Sequence, residues 1–114
     1  MAKNNSELSG YRMMWMMVMF DLPVVEEAER KAATGFRLSL LDLGFEMAQF
    51  SVYLRFCGGK EQTKSLTRQI EGAVPAGGKV DILYFTDKQY ESIVSFQRGL
   101  SCGPRKNPDQ FCLF

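Results

Sequence analysis

The chain has 114 residues, 46% of them hydrophobic and 12% aromatic, which is enough for one domain with a real core. A formal net charge of +1 excludes a global basic field, so any nucleic-acid contact must come from a local patch. Histidine is absent, which removes Ser-His-Asp and Cys-His catalysis and most zinc sites and leaves hydrolysis to carboxylates with a hard, oxygen-liking metal.

Residues 1–11 are polar and have no apolar segment of the kind a signal peptide needs, so they are expected to form a polar leader. The three cysteines, Cys57, Cys102 and Cys112, include no CxxC pair and suit a reducing compartment. A cytoplasmic location is therefore expected. Met13–Phe20 is an unbroken apolar run, too short to span a bilayer. It predicts a first strand over Arg12–Phe20, apolar on both faces and closed by Asp21-Leu22-Pro23. A carboxylate at such a strand end sits where the core opens to solvent. Asp21 is the candidate site residue, with capping of the next helix as its ordinary alternative role.

Pro23 is expected near the first turn of a helix, followed by Glu26, Glu27 and Glu29 at the positive end of its dipole. Ala28, Ala32, Phe36, Leu40 and Leu43 recur at helical spacing and predict the inward face, with Gly44 as the stop. Phe45–Gln49 and Phe50–Phe56 predict two further strands, ended by Cys57-Gly58-Gly59. Glu61–Glu71 predicts a second helix with Leu66 and Ile70 inward and Lys64 and Arg68 outward. Pro75–Gly78 is a loop, and Lys79–Thr86 a largely buried fourth strand. Asp87–Phe96 is expected to form a short helix capped by Asp87. The apolar ending Gln110–Phe114 is expected to dock, on the chain's own sheet or on another chain.

The order strand, helix, strand, strand, helix, strand is the ferredoxin-like βαββαβ pattern of an α+β fold over residues 12–96, with an extra strand or tail over 97–114. In that fold the helices cover one face of the sheet. A first strand apolar on both faces therefore asks for a second cover, and a face-to-face homodimer is the expected one. Two Asp21 side chains would then approach across the two-fold axis and suit Mg²⁺ or Mn²⁺. Arg30, Lys31 and Arg37 on the first helix, and Lys60, Lys64 and Arg68 at the second, are candidate phosphate contacts. A solvated helix face is their ordinary alternative. Ser51 and Tyr53 are expected on one face of the third strand, near a nucleic acid. The five methionines between Met13 and Met19 are expected to pack, not to bind metal.

Several segments together resemble one family. They are the apolar strand ending in Phe20-Asp21-Leu22-Pro23, the helix Glu26–Arg37, the run Gly44–Arg55 and the run Ile82–Glu91. They look like the CRISPR-associated protein Cas-two, most closely its type II version, and the apolar ending is similar too. The resemblance implies a homodimer that works in spacer acquisition, holding duplex DNA between dimers of the Cas-one integrase. It also implies a metal-dependent endonuclease acting on RNA or DNA, with Asp21 as Mg²⁺ ligand, Phe20 before it, and Ser51 and Tyr53 nearby. Arg30 or Lys31 matches the family's early helix cation. Met47 and Ala48 stand where some members carry a basic residue. The scaffold role is the expectation. Its alternatives are a nuclease as the primary role, or a ferredoxin-like nucleic-acid-binding module.

Overall fold

A computed structural model describes residues 14–98. The polar leader and the tail beyond residue 98, with the whole apolar ending Gln110–Phe114, lie outside these residues. Seven elements follow one another: β1 (Met14–Asp21), α1 (Glu27–Asp42), β2 (Glu46–Gln49), β3 (Val52–Cys57), α2 (Lys60–Ala73), β4 (Lys79–Thr86) and α3 (Asp87–Glu91). The sheet has the order β2-β3-β1-β4 with every pair antiparallel. This is the ferredoxin-like arrangement the element order predicts. Among the described residues no helix is long and apolar enough to cross a membrane.

β1 lies inside the sheet because its side chains suit burial on both sides. Met16, Val18 and Phe20 point to the helix-covered face, where they join Tyr53, Cys57, Phe36, Leu40, Leu66 and Ile70. Trp15 points to the opposite face and joins Leu54, Ala48 and Tyr90, with Met17 and Phe85 packed alongside. The register follows the pleat: Val18 lies beside Tyr53 and Ile82, and Met17 beside Leu54 and Leu83.

Pro23 lies outside α1, in the connection after β1. The helix starts at Glu27 with Glu26 as N-cap, and the Glu29 carboxylate accepts the backbone N–H groups of Val25 and Glu26. Asp21 therefore does not cap it. The buried stripe is Ala33, Phe36 and Leu40, while Ala28 and Ala32 are exposed. The two large side chains set the helix's rotation, and Ala33 shares their face at a spacing of three and seven. Gly44 ends the helix turn at φ 88°, and the Arg55 guanidinium fills the space beside it, donating from Nε to the Leu43 carbonyl at 2.8 Å.

Two expectations change at the C-terminal side. Among the described residues β4 lies at the sheet edge and none of its residues is fully buried, with Leu83 and Tyr84 43% and 47% exposed. Its apolar run read as largely buried because composition alone does not show how much of a strand's surface is covered. The last helix ends at Glu91, and its cap is Thr86, which accepts from Gln89 N–H while the Gln89 side chain accepts from Thr86 N–H. Asp87 instead accepts the indole N–H of Trp15 at 2.9 Å. Tyr90 stacks on that indole with centroids 3.8 Å apart and planes 12° apart. α3 thus closes part of the face the two longer helices leave open.

Candidate nucleic-acid interface and strand-end carboxylate

Asp21 is the last residue of β1 and is exposed. The strand's alternation places it on the face opposite α1 and α2, in line with Trp15, Met17 and Met19. Across the sheet its register partner is Lys79, whose ammonium lies 3.9 Å from Asp81. On the other side the chain turns through Phe50 and Ser51. Ser51 adopts φ 61°, and its carbonyl accepts the N–H of Phe20 at 3.1 Å. Ser51 therefore lies beside the strand end, and what it brings there is backbone. A left-handed conformation is costly for a residue with a Cβ, so this two-residue turn is held by its surroundings.

Phe20 and Tyr53 are not on that face. Phe20 is 8% exposed and Tyr53 3%, and both lie beneath the helices. Phe20 packs edge-on against Phe36 at 5.1 Å, and Tyr53 lies 5.7 Å from Phe20. Arg37 places its guanidinium 5.7 Å from the centre of the Phe20 ring. These three side chains support the strand that ends in Asp21, and do not line a surface with it.

The candidate cations divide. Arg30 donates to the carbonyls of Val24 and Val25 at 3.2 and 2.7 Å, closing the connection between β1 and α1. Lys31 reaches Glu27 at 3.8 Å, but both side chains are more than three-quarters exposed. Such a pair contributes at most about 0.5 kcal/mol and leaves Lys31 open to a phosphate. Lys60, Lys64 and Arg68 are exposed and recur every four residues along α2. α1 and α2 lie on the same side of the sheet, so their cations share the side away from Asp21.

Divalent cations of the hard type need oxygen donors, and Mg²⁺ typically takes one or two carboxylates and keeps several waters. Among the described residues no three acidic, cysteine or histidine side chains come together. One chain offers Asp21, with Lys79 in register and Asp81 two residues along the neighbouring strand. The donor set fits such an ion when two chains each supply an Asp21.

Sequence reasoning missed Lys79 as the neighbour of Asp21. The signal was available: an antiparallel β1–β4 pair sets the end of one strand against the start of the other. The Arg37–Phe20 stack and the Trp15–Asp87 bond needed three-dimensional distances.

An antiparallel ferredoxin-like sheet with a carboxylate at the end of its central strand defines the class. The sequence profile for CRISPR associated protein Cas2 matches residues 14–93. The chain is 64% identical over 107 residues to the CRISPR-associated endoribonuclease Cas2 of Paracidovorax avenae, covering 94% of this chain and 99% of that one. It is 45% identical over 85 residues to the protein of that name from Flavobacterium psychrophilum, covering 75% and 74%. With CRISPR-associated endoribonuclease Cas2 2 of Rhodospirillum rubrum it shares 38% over 109 residues, covering 92% and 97%. The chain belongs to the Cas2 family of CRISPR-associated proteins.

Proposed function

We propose that this chain works as a homodimeric scaffold in CRISPR spacer acquisition, binding duplex DNA and bridging dimers of the Cas-one integrase. The observation that carries it is the shared face of Asp21 and the apolar surface still uncovered beside it. Leu83 is 43% exposed and Phe50 85%, and Met17 and Met19 are only partly covered. Packing that face on its copy buries the apolar strip and brings two Asp21 carboxylates near the two-fold axis. The cations of α1 and α2 then lie on the outer surfaces of the pair, where Lys31, Lys60, Lys64 and Arg68 meet phosphates. Arg37, half-buried over Phe20, fixes its helix against the sheet as well as adding charge.

The relatives' names, endoribonucleases, favour a second activity, cleavage of RNA, and the strand-end carboxylate is the place for it. Two Asp21 side chains would hold Mg²⁺ or Mn²⁺, which when bound acidifies water and polarises a phosphate. Each chain's own part is to present one carboxylate on a rigid strand end, anchored by Phe20 below and by the Ser51 carbonyl beside it.

Asp21→Asn tests the division. Spacer acquisition and duplex binding are expected to persist while metal-dependent cleavage is lost. Loss of acquisition by a variant that still folds and binds duplex overturns the scaffold as the primary role and makes the nuclease primary.

A further inference from the structure

A cleft of about 430 Å³ opens between α2 and the edge of the sheet. It lies at the Met14 end of β1, about 23 Å along the strand from Asp21 and on the other face. Its walls include Met14, Tyr84, Thr63 and Thr67. The hydroxyls of these residues are spent on the α2 backbone and on one another. Thr63 donates its hydroxyl proton to the Lys60 carbonyl at 2.7 Å, and Thr67 donates to the Thr63 carbonyl at 2.7 Å. Thr67 has one such proton, so the 2.6 Å contact with the Tyr84 phenol is donated by the tyrosine. The cleft therefore shows hydrocarbon and a pinned aromatic ring, and Tyr84 remains 47% exposed.

The rim is cationic. Lys60, Lys64 and Arg68 line it at steps of about 6 Å along the helix. Among the described residues no carboxylate lines the cleft, and Lys64 and Arg68 make no ion pair. An apolar floor with a held aromatic ring beneath a row of cations suits a planar base joined to a phosphate. The side-chain charges of the chain's outer segments do not complement this rim. Residues 1–13 carry Lys3 and Arg12 against Glu7, and residues 99–114 carry Arg105 and Lys106 against Asp109.

We propose that this cleft binds a single nucleotide unit, its base against Tyr84 and Met14 and its phosphate on Lys64 and Arg68. The unit is either a free nucleoside monophosphate or an unpaired nucleotide of a strand. The second source rests on the nucleic-acid role proposed above.

Full-length isotope-labelled protein is titrated with adenosine 5′-monophosphate while the amide signals of Lys64, Thr67, Arg68 and Tyr84 are followed. Adenosine, inorganic phosphate, a polyglutamate peptide and a short thymidylate strand are titrated in parallel. Saturable shifts are expected with the monophosphate, with adenosine and phosphate each weaker by about tenfold or more. Tyr84→Ala is expected to weaken the monophosphate by about tenfold. Lys64→Ala, at an exposed position, gives a second test if the first variant fails to fold. A strand that binds tighter than the monophosphate supports the site and assigns it to unpaired nucleic acid. Equal binding supports it as a free-nucleotide site.

Absence of saturable shifts with both nucleotide and strand overturns the proposal. So does phosphate or polyglutamate matching the monophosphate, since charge alone would then explain binding. A blunt DNA duplex titrated into the same protein separates the two readings. Duplex binding without monophosphate binding overturns the cleft alone, and the reverse overturns duplex binding by the helix faces alone.

Discussion

The two faces of the sheet are built from the same strands but finished differently. On one face, two long helices lay Phe36, Leu40, Leu66 and Ile70 onto Met16, Val18 and Phe20. On the other, a five-residue helix contributes Tyr90, with Ile93 beyond it, and closes over Trp15. Met17, Met19 and Leu83 continue the apolar surface past that cover. The first face holds the chain in its fold. The second is half core and half uncovered apolar surface, and Asp21 stands at its margin.

This contrast can be broken in graded steps. Phe36→Ala empties the centre of the covered face and is expected to cost about 3–5 kcal/mol, measured by urea unfolding. A cost under about 1 kcal/mol would mean that this face is not the main core. Asp87→Ala removes the acceptor of a nearly buried indole N–H, and an expected cost of about 1–3 kcal/mol should appear in the same assay. An unchanged midpoint would show that α3 is a passive cover.

Leu83→Glu places a charge on the uncovered part of the second face. Its effect on monomer folding should stay within about 0.5 kcal/mol, while sedimentation should shift from dimer to monomer. A charged variant that remains dimeric would move the interface elsewhere. The smallest effect concerns Cys57. Burial pushes its thiol up, and the Arg55 guanidinium opposes this only in part. A raised pKa in the folded state favours the neutral form, so the contribution to stability is full below the ordinary thiol range of about 8.5. It should fade as pH climbs above that value toward the folded pKa. Cys57→Ala should flatten that alkaline limb of a stability–pH curve.

Much of the covered face was legible in the sequence. Helical spacing found Phe36, Leu40, Leu66 and Ile70, and the element order found the topology. Ala28 and Ala32 were misplaced because small residues carry little weight in setting a helix's rotation. The burial of β4 was overestimated because an apolar strand looks the same whether or not its faces are covered. At the site, Asp21 was visible as a charge closing an apolar run. Alternation sets Phe20 on the face opposite Asp21, but only the register shows that Tyr53 shares the Phe20 face beneath the helices. Arg30 was readable as a cation, but its use by the Val24 and Val25 carbonyls depends on how the loop folds back.

Gly78 sits under Leu22, one residue past Asp21. A Cβ at position 78 would come within 2.5 Å of Leu22 Cδ2 and 3.2 Å of the Pro75 carbonyl oxygen. The loop before β4 and the loop after β1 are therefore nested with no spare methyl-sized volume between them. For anyone diversifying this protein, position 78 is the poor place to randomise in this loop. A library there should favour glycine, because any other side chain must push the Leu22 tip aside and strain the Pro75 carbonyl, even when selected only for folding.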